Sequence, residues 1–130
     1  MPADLIERLG DVWEFVRQRM SGDYAVDEFG FDPELNESVF MALARPLYRS
    51  WFRVQTSGLE HVPTTGGALV VANHSGTVAL DSVMTQVALL DDHPGHRHLR
   101  MLGADLVFQT PFIGEVARKA GHTLACNPDA

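Results

Sequence analysis

His74 and Asp81, within "VVANHSGTVALDS" at residues 70–82, combine residue types and a spacing that could carry chemistry. An imidazole can take a proton from a hydroxyl near neutral pH. A carboxylate on its other ring nitrogen would fix the tautomer and stabilise the imidazolium. In continuous helix, seven residues rise about 10.5 Å, too far for a direct hydrogen bond. The pair therefore requires Ser75 to Val78 to stay out of regular helix, a turn that Gly76 permits, with Asp81 in the first turn of the helix that follows. The alternative on spacing alone is a polar strand end followed by a helix that Asp81 merely caps. Ser75 lacks the Gly-x-Ser-x-Gly elbow of a hydrolase nucleophile and reads as a turn residue. The backbone N–H groups of Ser75, Gly76 and Thr77 are candidates to polarise a substrate carbonyl.

The elements around this stretch must hold it in place. The apolar run at 68–73 predicts a strand buried on both faces, as in a parallel sheet, and ligands collect at the carboxyl ends of such strands. A mostly apolar helix is expected over 78–90, a loop over "DDHPGHRH", a strand over 99–104, a short helix stopped by Gly121, and a strand over "HTLAC". This alternation predicts an α/β fold: N-terminal helices, then a mainly parallel sheet with crossover helices. Upstream, residues 3–20 have the period of an amphipathic helix. Residues 21–33 read as a linker loop, and a second helix is expected over 33–52, kinked or divided at Pro46. Arg45, Arg49 and Arg53 would share one face of it. That face is either solvated beside a buried aromatic face or a patch for anionic lipid or an acidic cofactor. A further strand is expected near 52–56. The expected division is a helical region at 1–52 and an α/β domain at 53–130.

The chain has 130 residues, 45% hydrophobic and 21% charged, with a formal net charge of −7. That balance argues against nucleic acid as a partner, because phosphate binding needs a basic face. The single cysteine, Cys126, excludes an internal disulfide and fits a reducing compartment. No signal-peptide pattern is expected, and no apolar run approaches the roughly 20 residues of a membrane span. Any membrane contact would be peripheral. His93, His96 and His98 lie near Asp91 and Asp92. The set could bind a metal, but a solvent-facing loop is the expected reading. Gly66-Gly67 reads as a tight turn, Cys126 as a small buried residue and His122 as structural.

"ALVVANHSGTVALDS" resembles the first motif of the lysophospholipid and glycerolphosphate acyltransferase family, where an apolar strand ends in Asn-His and an aspartate opens the next helix. The family usually leaves four residues between His and Asp; the six here resemble a bacterial branch in which "NHSG" opens a longer turn. "GADLVFQTPFIGEVARKAGHTLAC" is similar to the downstream pattern. The resemblance runs from about Gly58 onward and implies an incomplete αβα acyltransferase domain. It implies acyl transfer from acyl-CoA or acyl carrier protein, itself a substrate with no further cofactor, to a lipid hydroxyl. His74 would be the general base and Asp81 its orienting partner. Asn127 stands where the family often has an arginine against the acceptor's phosphate. The family's Phe-Pro-Glu-Gly motif would lie beyond Ala130, so the chain reads as the N-terminal part of a cytoplasmic, peripheral-membrane enzyme with little activity alone. Two other readings stay open: an inactive lipid-binding or regulatory module of the same fold, and a histidine-dependent α/β hydrolase.

Overall fold

The structure is a computed structural model and describes residues 13–15, 17, 18, 21, 22, 25–74, 76, 78–104, 107, 109, 111 and 113–125. Its architecture is α/β, as the alternation of elements predicts. A long helix, α1, covers residues 33–51 as the consecutive segments Pro33–Leu35, Asn36–Met41, Ala42–Pro46 and Leu47–Trp51. Asp32 caps it, its carboxylate accepting the Leu35 N–H at 2.9 Å, and Pro33 occupies the first turn, where no N–H is needed.

The helix continues through Pro46, and its winding changes directly after that residue. The φ and ψ of Pro46 stay helical at −61° and −37°. Proline has no N–H for the usual i−4 bond, and the backbone around it changes register instead. The Leu47 N–H bonds the Ala44 carbonyl, and the Phe52 N–H reaches back five residues to the Leu47 carbonyl at 2.8 Å. Leu47–Trp51 is accordingly π-wound, and Asn36–Met41 is π-wound too.

The second helix, α2, begins at Leu80 rather than residue 78 and runs through Leu80–Val87 and Ala88–Asp92. It packs against α1 through Met84, Val87, Ala88 and Leu90, which meet Met41, Ala44 and Tyr48, with Phe40, Val54 and Val83 at the margin. Burial of this apolar surface is the main force holding the two helices together.

Strand β1 (Met101–Gly103), helix α3 (Ile113–Lys119) and strand β2 (His122–Leu124) form a βαβ unit. The strands pair in parallel, Met101 opposite His122 and Gly103 opposite Leu124. Gly121 ends α3 with φ +91°, as its expected capping role requires, and a Cβ there would stand 3.3 Å from the Leu99 carbonyl and the Phe31 ring.

Two expected strands are absent among the described residues. Neither 52–56 nor 68–73 joins the sheet, which consists of β1 and β2. The apolar run at 68–73 is exposed rather than doubly buried, with Leu69 and Val71 84% and 83% accessible. A parallel strand is buried only when neighbours lie on both edges and helices on both faces, and no described element fills those places. No helix among the described residues is long and apolar enough to cross a membrane.

Candidate active site

Residues 67–74 end at His74, and α2 starts six residues later. Between them the backbone turns tightly. Gly76 sits at φ +89°, Ala79 is non-helical, and the Leu80 N–H bonds the Val78 carbonyl at 2.8 Å. The condition imposed by the six-residue gap is therefore met at Gly76 and Val78. Ser75 and Thr77 lie outside the described residues, as do Cys126 and Asn127.

Asp81 is the second residue of α2, so its carboxylate lies at the positive end of the helix dipole. Its Oδ1 accepts the Ser82 N–H at 2.8 Å, and its carbonyl accepts the Thr85 hydroxyl at 2.9 Å. The Ser82 bond orients the carboxylate, which meets His74 Nδ1 at 3.1 and 3.0 Å through its two oxygens. A carboxylate only accepts, so Nδ1 carries the proton and donates it. In the neutral ring the lone pair is then on Nε2, which has no hydrogen-bond partner among the described residues. The His74 side chain is 52% exposed, so this nitrogen is accessible. A fixed tautomer with an accessible basic nitrogen is the arrangement that proton abstraction from a hydroxyl needs.

Beside Asp81 lies an open cleft of about 540 Å³. Residues 54–59 form one wall, Met84, Thr85, Ala88 and Leu89 of α2 the other, and Val70 closes one side. The sequence reading gave residues 54–59 no role at the site. Their part follows from α1 ending at Trp51, after which the Val54 N–H bonds the Tyr48 carbonyl at 3.0 Å and starts the wall.

The far end of α2 is bound to α1 by a polar cluster that the sequence reading also missed. Asp91 takes bonds from Arg45 Nε at 2.9 Å and Nη2 at 2.8 Å, and from Arg49 at 3.2 Å. Tyr48 donates to Asp92 at 2.6 Å. Hydrogen bonding from Arg45 holds the Asp91 carboxyl below the usual range. The Tyr48 phenol is pushed up to about 12, first by burial and then by its bond to Asp92. The expected basic face of Arg45, Arg49 and Arg53 thus does not form. Two of its members turn to Asp91, while Arg53 follows the helix at φ +48°. One signal pointed here: two aspartates at a helix C-terminus oppose its dipole and call for cations.

Of the loop histidines, His96 and His98 are exposed as expected, and His93 alone departs from a solvent-facing set. His93 is 1% exposed. It accepts the Gly95 N–H on Nδ1 at 3.0 Å and donates from Nε2 to the Val62 carbonyl at 2.9 Å. His96 bonds the Leu90 carbonyl at 2.8 Å through Nδ1, and His98 lies edge-on to Phe31. His122 donates to the Ala117 carbonyl at 3.1 Å, and burial pushes its imidazole below the ordinary value. Each has a structural partner.

A model of the acyltransferase family matches residues 53–129, more than half of the chain and the whole of the site. Over 129 residues the chain is 55% identical to uncharacterized proteins of Mycobacterium tuberculosis and Mycobacterium bovis, covering 99% of this chain and 36% of each relative. A Mycobacterium leprae protein is 52% identical over 128 residues, 98% of this chain and 35% of its own. The chain thus spans about a third of the length of these curated relatives. No solved structure gave a significant match. On the family match and the site it spans, the chain belongs to the acyltransferase family.

Proposed function

We propose that the protein moves a fatty acyl group from an acyl thioester, acyl-CoA or acyl carrier protein, to the hydroxyl of a lysophospholipid or related glycerolipid. The observation that carries this reading is the His74–Asp81 contact at 3.0 Å, which in the neutral ring leaves the lone pair on Nε2 of a half-exposed side chain. Nε2 takes the acceptor's hydroxyl proton while the oxygen attacks the thioester carbonyl carbon. The tetrahedral intermediate collapses, the C–S bond breaks, and the thiolate leaves with the proton from the imidazolium. Asp81 holds the ring and balances its transient charge. Backbone N–H groups of Ser75, Gly76 and Thr77 are the candidate donors to the developing oxyanion, and Asn127 is the candidate for the acceptor's polar head. In this proposal the enzyme works as a peripheral protein on the inner face of the cell membrane.

The test is thioester-dependent acyl transfer by the full-length protein, with and without His74→Ala. Transfer by the wild type and its loss in the variant support the mechanism. Equal activity in both would sink it, and thioester cleavage without any acceptor would point to a hydrolase instead. An inert module of this fold would show neither reaction.

A further inference from the structure

Helix α1 presents different chemistry on each side. Met41, Ala44 and Tyr48 are buried against α2. Arg45 and Arg49, one step round, are tied to Asp91. On the opposite flank lie Val39, Leu43, Leu47 and Trp51, spaced by four and exposed by 43%, 71%, 38% and 75%. A spacing of four stays in line on a helix that is partly π-wound. Phe52, also exposed, extends the stripe. Ala42, Pro46 and Ser50 fill the far side and are exposed too. From Ser38 to Phe52 the charged residues are Arg45 and Arg49, both engaged on the other flank.

We infer that this stripe is the surface by which the protein lies on a phospholipid bilayer. The inference rests on the lipid acyltransferase reading and adds where the membrane sits. Charge fits the occupant. The chain is acidic overall, yet the stripe and the far side carry no carboxylate that an anionic headgroup would repel. The stripe ends in Trp51, Phe52 and Arg53, and aromatic rings beside a cation suit the headgroup level of a membrane. Position fits as well. The stripe ends two residues before Val54, the first residue of the cleft that contains Asp81. A lipid hydroxyl at the membrane surface then lies next to the cleft's mouth. The sequence reading offered lipid the arginines of α1; the structure pairs Arg45 and Arg49 with Asp91 and offers the apolar residues of the other flank.

The test is sedimentation of the 130-residue chain with vesicles of phosphatidylcholine and phosphatidylglycerol, which needs no turnover. The wild type is expected to bind. The double variant Leu43→Gln, Trp51→Gln should lose at least about tenfold in partitioning, since each apolar side chain kept from water is worth a factor of this order. Its melting curve should not move, because both side chains are already exposed. Val116→Gln, at an exposed apolar position on α3, should bind as the wild type does. In a Trp13→Phe background Trp51 is the one remaining tryptophan, and its emission should shift to the blue on vesicles. Unmoved emission, or equal binding by the double variant, overturns the inference. So does a wild type that ignores vesicles but self-associates through this stripe. His74→Ala should bind vesicles normally, so a failed transfer reaction is distinguishable from a failed docking surface.

Discussion

The two ends of α2 are built on opposite plans. At its C-terminal end, Ala88, Leu89 and Leu90 are buried, two aspartates are bonded to α1, and His93 is sealed between Val62 and Gly95. At its N-terminal end Asp81 meets a half-exposed histidine delivered by a segment that joins no sheet. One end fixes the helix; the other uses that fixed point to present a reactive pair to solvent. A mutation should accordingly cost activity at one end and stability at the other.

The largest expected effect tests the open end. His74→Ala should lower acyl transfer by the full-length protein by about 10³-fold, within the range for general base catalysis, with an unchanged melting temperature. Asp81→Asn should fall within about tenfold of it, because an amide can donate to Nδ1 and so favour the wrong tautomer. A large drop in melting temperature with either variant would break the comparison.

The closed end should behave in reverse. Asp91→Ala leaves the Arg45 guanidinium without its main partner and should cost about 1–2 kcal/mol in urea unfolding, after allowance for the partial exposure of the pair. KM for the thioester should hold at temperatures where the variant is folded. Acid should reach the packed part of the molecule in two stages. Burial, with the Arg100 charge adding to it at His98, holds His98 and His122 below the ordinary 6.5. The unfolded chain therefore binds these protons first, and the associated stability is present above about pH 6.5 and lost as pH falls from there. Asp91 is held low by Arg45. At Asp27, burial pushes the carboxyl up, but N–H groups of Phe31 and Phe29 and the Arg100 guanidinium outweigh it. Stability from these carboxylates is lost only below their ordinary 3.8. A melting temperature flat from pH 7 to 5 would contradict the first stage.

The smallest effect sharpens the picture of α1. Both amide atoms of Asn36 are buried without a hydrogen-bond partner among the described residues. Asn36→Leu should raise stability by about 1 kcal/mol, since an unpaired buried amide costs about that much. A destabilised variant would mean that the amide is satisfied in solution, as by a buried water.

What was legible in the sequence follows from how local each feature is. The His74–Asp81 contact spans seven residues, and one glycine and one helix start decide it. Gly121 and the parallel β1–β2 unit are local in the same sense. The arginines of α1 were misplaced because their partners lie 42 to 46 residues further on, where no local period can show them. The expected buried aromatic face beside the arginines does not form: of Leu47, Tyr48, Trp51 and Phe52, only Tyr48 is buried. Its hydroxyl has Asp92 to bond, and the other three do not share its side of the helix. The run at 68–73 has the composition of a buried strand, yet composition cannot supply the neighbours that would bury it.

The ion pair between Arg45 and Asp91 bridges 46 positions of chain. The exposed stretch that carries His74 lies entirely inside the loop so closed. A protease cut at Gly66 or Gly67 would leave two pieces, one bearing α1 and the other α2. The helix interface and the ion pair would still hold them together until denaturant is added. A nicked protein that migrates as one species by gel filtration and as two in denaturing electrophoresis would report, without any substrate, that this loop spans a closed joint.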